Sequence, residues 1–146
     1  MNLWLLDASI LLASEDPDDQ HHGDSRRLLE GSDPLATLDL VFYEVTNVAV
    51  RSWHDHSAAR RLRNRVTAVA DDGGLVRADA PLLESAAGIA DENGISVYDA
   101  AYVAAARALH SQLVSCDVRD LVSRGLALLP GDTVTRLSNR EDGIPG

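Results

Sequence analysis

Short apolar runs alternate with amphipathic stretches along the chain. Leu3 to Leu6 is a buried-strand pattern that runs into Asp7, and Ser9 to Ala13 then opens a brief helix. The polar run Glu15 to Gly23 reads as a loop or helix entry, followed by a helical stretch through about Leu29 and a turn at Gly31-Ser32-Asp33-Pro34. Leu35 to Thr37 is a second strand candidate. From Asp39 to about Trp53, the residues Leu40, Val41, Val45, Val48 and Ala49 recur at helical spacing, with Asp39 suited to the first turn.

A helix rich in arginine (Arg60, Arg61, Arg63, Arg65) follows and stops at Asp72-Gly73-Gly74, and Leu75 to Arg77 is a third strand candidate. Pro81 suits the first turn of a helix that ends at Asn93-Gly94. Ser96-Val97-Tyr98-Asp99 leads into the helix AAYVAAARALH, Gln112 to Ser115 forms the next strand, and Asp117 begins a helix ending near Gly125. Leu126 to Leu128 is a last strand candidate. Strands alternating with helices predict an α/β fold whose largely parallel sheet is covered on both faces. The pattern shows neither repeat nor linker, so we expect one domain over residues 1–136 and a flexible tail over 137–146.

Composition narrows this. The chain is 45% hydrophobic but only 4% aromatic, so Leu, Val and Ala must build the core, which favours helices on a sheet over a β-sandwich. The single cysteine, Cys116, cannot form an internal disulfide, and cysteine–histidine metal spacing is absent; a reducing cytoplasm is the expected location. The apolar N-terminus lacks a basic leader and is interrupted by Asp7, and no stretch approaches the roughly 18 apolar residues of a membrane span. No membrane association is expected. All 13 basic residues are arginine, which removes P-loop, receiver and haloacid-phosphatase sites that normally use a lysine. The net charge of −10 argues against a protein that coats nucleic acid.

Candidate chemistry lies where strands end, because open α/β sheets bind ligands beyond their carboxyl ends. Asp7 and Asp117 directly follow strands, and Asp99 opens a helix just after Ile95 to Val97. Each has a plainer reading as a helix cap, and Ser96-x-x-Asp99 has the form of a capping box. Glu44 is mid-helix, where no cap is needed, although a solvated flank would also accommodate it. Asp120 lies one helical turn after Asp117, which equally suits an exposed helix start. In combination, a helical glutamate and three strand-end aspartates above one sheet edge would form a carboxylate pocket. Packed carboxylates resist ionisation unless a cation holds them, so the set points to Mg²⁺ or Mn²⁺. His21-His22 and His54-x-His56 lack ligand spacing on one face. The arginine helix is a solvated face or a phosphate-contacting strip. Cys116 reads as a small buried hydrophobe.

These residues resemble the PIN-domain nucleases, and within them the VapC-type toxins of toxin–antitoxin pairs. The likeness covers nearly the whole chain and is carried by Asp7 in LLDASILL, Glu44 in VFYEVTNVAVR, Asp99 in ISVYDAAYVAAA and Asp117 in LVSCDVRDL. Ser9 and Ser115 stand at the family's supporting hydroxyl positions, and Asp120 is read as a supporting acid. The resemblance implies a three-layer α/β/α sandwich and a metal-dependent endoribonuclease toxin, with Asp7, Glu44, Asp99 and Asp117 both catalytic and metal-binding around Mg²⁺ or Mn²⁺. The implied substrate is cellular RNA of the tRNA or rRNA kind, cut to leave a 5′-phosphate and a 3′-hydroxyl. It further implies a homodimer and a VapB-type antitoxin whose C-terminal segment fills the groove. The rival reading is a noncatalytic PIN-like module that binds protein; a small-substrate phosphatase would need a closed pocket.

Overall fold

The computed structural model describes residues 2–133, so the tail expected over 137–146 lies outside the described residues. Four parallel strands, β1 (Trp4–Leu6), β2 (Leu35–Leu38), β3 (Leu75–Val76) and β4 (Gln112–Val114), form a sheet in the order β3-β2-β1-β4. Parallel neighbours require long crossovers, and helices supply them. These are α1 (Ala8–Glu15), α2 (His22–Glu30), α3 (Val41–Asn47), α4 (His56–Asp71), α5 (Ala80–Asn93) and α6 (Val97–Ala108).

Side chains alternate across each strand, so the sheet presents two apolar faces. Leu5, Ala36, Leu38 and Leu113 pack against α5 and α6 on one side. Trp4, Leu6 and Val114 meet Ile10 and Leu28 of α1 and α2 on the other, where α3 and α4 add Val45, Leu62 and Val66. The expected three-layer α/β/α architecture is therefore present. All residues from Ala100 to Ala106 are buried, since α6 lies between the sheet and α5 and its small side chains permit close packing. Gly74 is a second close approach. A Cβ there would lie 2.2 Å from the Leu35 carbonyl oxygen, while the Gly74 carbonyl accepts the Thr37 N–H that starts β2–β3 pairing.

The chain adds β2 and β3 to one side of β1, then returns to place β4 on the other. This makes the carboxyl ends of β1 and β4 the topological switch point. Several boundaries differ from the sequence pattern. The helix expected from Asp39 begins at Val41; Asp39 instead stays at the end of β2, where its carboxylate accepts the Ala78 N–H at 3.1 Å. After Asn47 the α-helix widens into a π-helical turn, Val48–Ser52, closed by the Trp53 N–H on the Val48 carbonyl. Apolar spacing does not distinguish that wider turn from α-helix. The helix expected from Asp117 is likewise a single π-helical turn, Val118–Val122. The strand expected at Leu126 to Leu128 reduces to one parallel bridge from Leu128 to Val114. Among the described residues no helix is long and apolar enough to cross a membrane.

Candidate active site

Asp7 is the N-cap of α1 and is only 6% exposed. Its Oδ1 accepts the Ser9 N–H at 3.0 Å and the Ser9 hydroxyl at 2.5 Å, and its own N–H donates to the Val114 carbonyl of β4. Burial pushes its carboxyl up from 3.8 to about 6, against the opposing pull of the Ser115 and Ser9 hydroxyls and the Ile10 backbone; Glu44 adds to the rise. The cap reading and the site reading thus describe the same residue. Capping accounts for one oxygen, but an exposed cap would avoid the desolvation that this one bears.

The serines tie the two strand ends together. Ser9 Oγ accepts the Cys116 N–H at 2.9 Å and lies 3.4 Å from Ser115 Oγ, which in turn accepts the Asp117 N–H at 3.0 Å. Asp117 caps its π-turn by accepting the Asp120 N–H at 3.0 Å. That π-turn keeps Asp120 next to Asp117. Ligand oxygens of Asp99, Asp117 and Asp120 all lie within 4.8 Å of one another. Asp99 reaches this cluster from the first turn of α6, whose N-cap Ser96 accepts the Asp99 N–H at 3.0 Å. Burial raises the Asp99 carboxyl above its ordinary value, and the charges of Asp117 and Asp120 raise it further.

Glu44 stands on α3 and is coupled electrostatically to both Asp99 and Asp7. Its carboxyl is raised by burial and by the Asp99 charge, while the Tyr102 hydroxyl, donating to Oε1 at 2.5 Å, opposes the rise. The structure therefore gathers Asp99 and Asp117 with Asp120 in one tight group. Asp7 and Glu44 are outside that group but linked to it electrostatically, Asp7 to Glu44 and Glu44 to Asp99.

Among the described residues no arginine or histidine pairs with Asp7, Glu44, Asp99 or Asp117, and the one cation near the set, Arg119, is 3.8 Å from Asp120 with its side chain 94% exposed. With so little compensation, the three clustered carboxylates Asp99, Asp117 and Asp120 form an all-oxygen set of the kind that suits a hard divalent cation. The arginine helix is used differently along its length: Arg61 and Arg65 reach Glu15 of α1, at 3.1 and 3.7 Å. Burial pushes the Cys116 thiol up to about 12, so it is not a nucleophile at neutral pH.

Two features escaped the sequence pattern. Tyr102 was hidden inside an alanine-rich apolar helix, with its partner 58 residues upstream. Tyr43 and Tyr98, each one residue before a site acid, are 78% and 66% exposed. Their signal was exposure of an aromatic in a chain that has few.

A parallel sheet with a switch point between β1 and β4 and a cluster of aspartates beside it define an α/β protein whose oxygen ligands are gathered at one end of the sheet. The chain belongs to the PIN domain family, whose model matches residues 4–123. No curated protein matches it significantly. Solved structures share its fold. A toxin–antitoxin complex from Klebsiella pneumoniae superposes with a TM-score of 0.66 at 18% identity, covering 86% of this chain and 96% of that one. A protein of Pyrobaculum aerophilum gives 0.65 at 24% identity, covering 94% and 96%. VapC20 of Mycobacterium tuberculosis, a sarcin–ricin loop cleaving toxin, gives 0.59 at 22% identity, covering 80% and 91%.

Proposed function

We propose that this PIN-domain protein is a divalent-metal-dependent endoribonuclease that acts in the cytoplasm as a toxin and is restrained by a cognate antitoxin. The observation that carries the reading is the convergence of Asp99, Asp117 and Asp120, with Glu44 and buried Asp7 beside them, at the switch point of a PIN fold. Asp99, Asp117 and Asp120 would hold Mg²⁺ or Mn²⁺, with Glu44 and Asp7 completing the site directly or through water. A divalent ion held there would supply acidification of a bound water and offset charge on the attacked phosphate. The chain's own part is to fix the carboxylates. Ser9 and Ser115 lock Asp7 to the end of β4, Ser96 and the Asp117 cap set the angles of the two aspartates, and the open acidic edge admits a phosphodiester. Hydrolysis breaks the bond from phosphorus to the 3′-oxygen and leaves a 5′-phosphate and a 3′-hydroxyl.

The net charge of −10 makes tight, sequence-independent binding of RNA unfavourable. Recognition of an unpaired loop fits better, since Tyr43 and Tyr98 offer exposed faces on which unstacked bases can stack. The toxin assignment draws on the resemblance to VapC proteins and on the fold shared with a toxin–antitoxin complex and with a toxin that cleaves the sarcin–ricin loop. The working unit on this reading is a homodimer, and the antitoxin's C-terminal arm carries arginine or lysine to match the acidic groove. The test is to sequence RNA 5′ ends after brief expression of the chain. New 5′-phosphate ends at defined loops, absent with Asp7→Asn, support the reading; identical end maps for the two proteins defeat it.

A further inference from the structure

Between Ala100 and Ala106 every side chain of α6 is alanine or valine except Tyr102. Packing alone does not call for a phenol there. The ring is 2% exposed, and its hydroxyl crosses to the opposite helical layer to donate to Glu44 Oε1. Glu44 Oε2 has no hydrogen-bond partner among the described residues. Tyr102 also follows Asp99 by three residues on the same helix, so one helix sets the position of both acids.

We propose that Tyr102 is a positioning residue for the divalent ion: it commits one oxygen of Glu44 to the protein, leaves the other for the ion or a water bound to it, and holds Glu44 in register with Asp99. This inference rests on the metal-dependent reading above. A carboxylate that offers one oxygen suits Mg²⁺ and Mn²⁺, which keep near-octahedral shells, better than a freely rotating carboxylate able to chelate through both. Partners that orient metal ligands commonly contribute about 10- to 100-fold in metal affinity.

The experiment is calorimetric titration of metal-free protein with Mn²⁺ alone, for wild type, Tyr102→Phe, Glu44→Ala and the double variant. Tyr102→Phe should bind Mn²⁺ about 10- to 100-fold more weakly. In the Glu44→Ala background the same change should make no further difference, because no carboxylate remains to be positioned. Wild-type affinity in Tyr102→Phe, or an equal loss in both backgrounds, overturns the inference and leaves Tyr102 a packing residue. A wild-type chain that takes up no Mn²⁺ overturns the metal reading and this inference with it, whereas Mn²⁺ uptake without RNA cleavage strikes only the nuclease reading. Should Tyr102→Phe fail to fold, the wild-type protein still decides. Its Tyr102 hydroxyl proton should give a slowly exchanging downfield resonance that moves as Mg²⁺ saturates the site. A resonance unmoved by saturating Mg²⁺ overturns the inference.

Discussion

Asp7 combines a helix cap with a nearly complete loss of solvent, and the two have opposite effects on its charge. Its carboxyl ionises near 3.8 when exposed and near 6 in the fold. The native state therefore holds the proton more firmly, and the associated stability is complete below about pH 4 and declines as pH rises through 6. The shift corresponds to about 3 kcal/mol. Asn at position 7 can accept the same bonds from Ser9 without the charge. We expect Asp7→Asn, melted in chelator at pH 7.5, to exceed wild type by several degrees and to lose the decline between pH 4 and 6. A variant less stable than wild type under those conditions would mean that the cap outweighs desolvation. Cys116 gives a second expectation. With its thiol pushed up to about 12, it should resist iodoacetamide at pH 8 in the folded protein and react once unfolded. Most of these residues were legible in the sequence, because an acid directly after an apolar strand stands out. Tyr102 was not, since a hydrogen bond spanning 58 residues leaves no local mark.

At the scale of elements, the alternation of apolar runs and helical stripes was enough to place the four strands and six helices. Turn geometry was harder to read. The π-turns after Asn47 and Asp117 depend on how the backbone closes against its neighbours; spacing of one turn already puts Asp120 near Asp117, but the approach of both to Asp99 on α6 is a tertiary contact that local spacing does not reveal. Ser96 was recognisable as a cap, and it fixes the first turn of the helix that carries Asp99. Ser96→Ala should cost about 1 kcal/mol of stability and weaken Mn²⁺ binding, read by melting and by titration. Unchanged metal affinity would show that Asp99 is held by α6 packing alone. Gly74→Ala should destabilise by about 1 to 3 kcal/mol or more, because its Cβ meets the Leu35 carbonyl where β2 and β3 join. Denaturant unfolding measures this; a neutral result would show that β3 can shift without loss.

For the molecule as a whole, the acidic charge that first argued against nucleic acid is concentrated in part at a site that a cation would neutralise. The site's separate acids gain meaning only from the topology, which returns the chain from β3 to β4 and sets the end of β4 beside Asp7. The most direct test uses purified protein and an RNA carrying a single-stranded loop, with Mn²⁺ or chelator, comparing wild type with Asp99→Asn. The expected result is cleavage by wild type only with the metal, products bearing 5′-phosphates, and a loss of at least about 100-fold in Asp99→Asn, in keeping with removal of a group that stabilises charge at a reacting centre. Cleavage that survives chelator, or that Asp99→Asn performs at the wild-type rate, would contradict a metal-dependent ribonuclease built on these carboxylates.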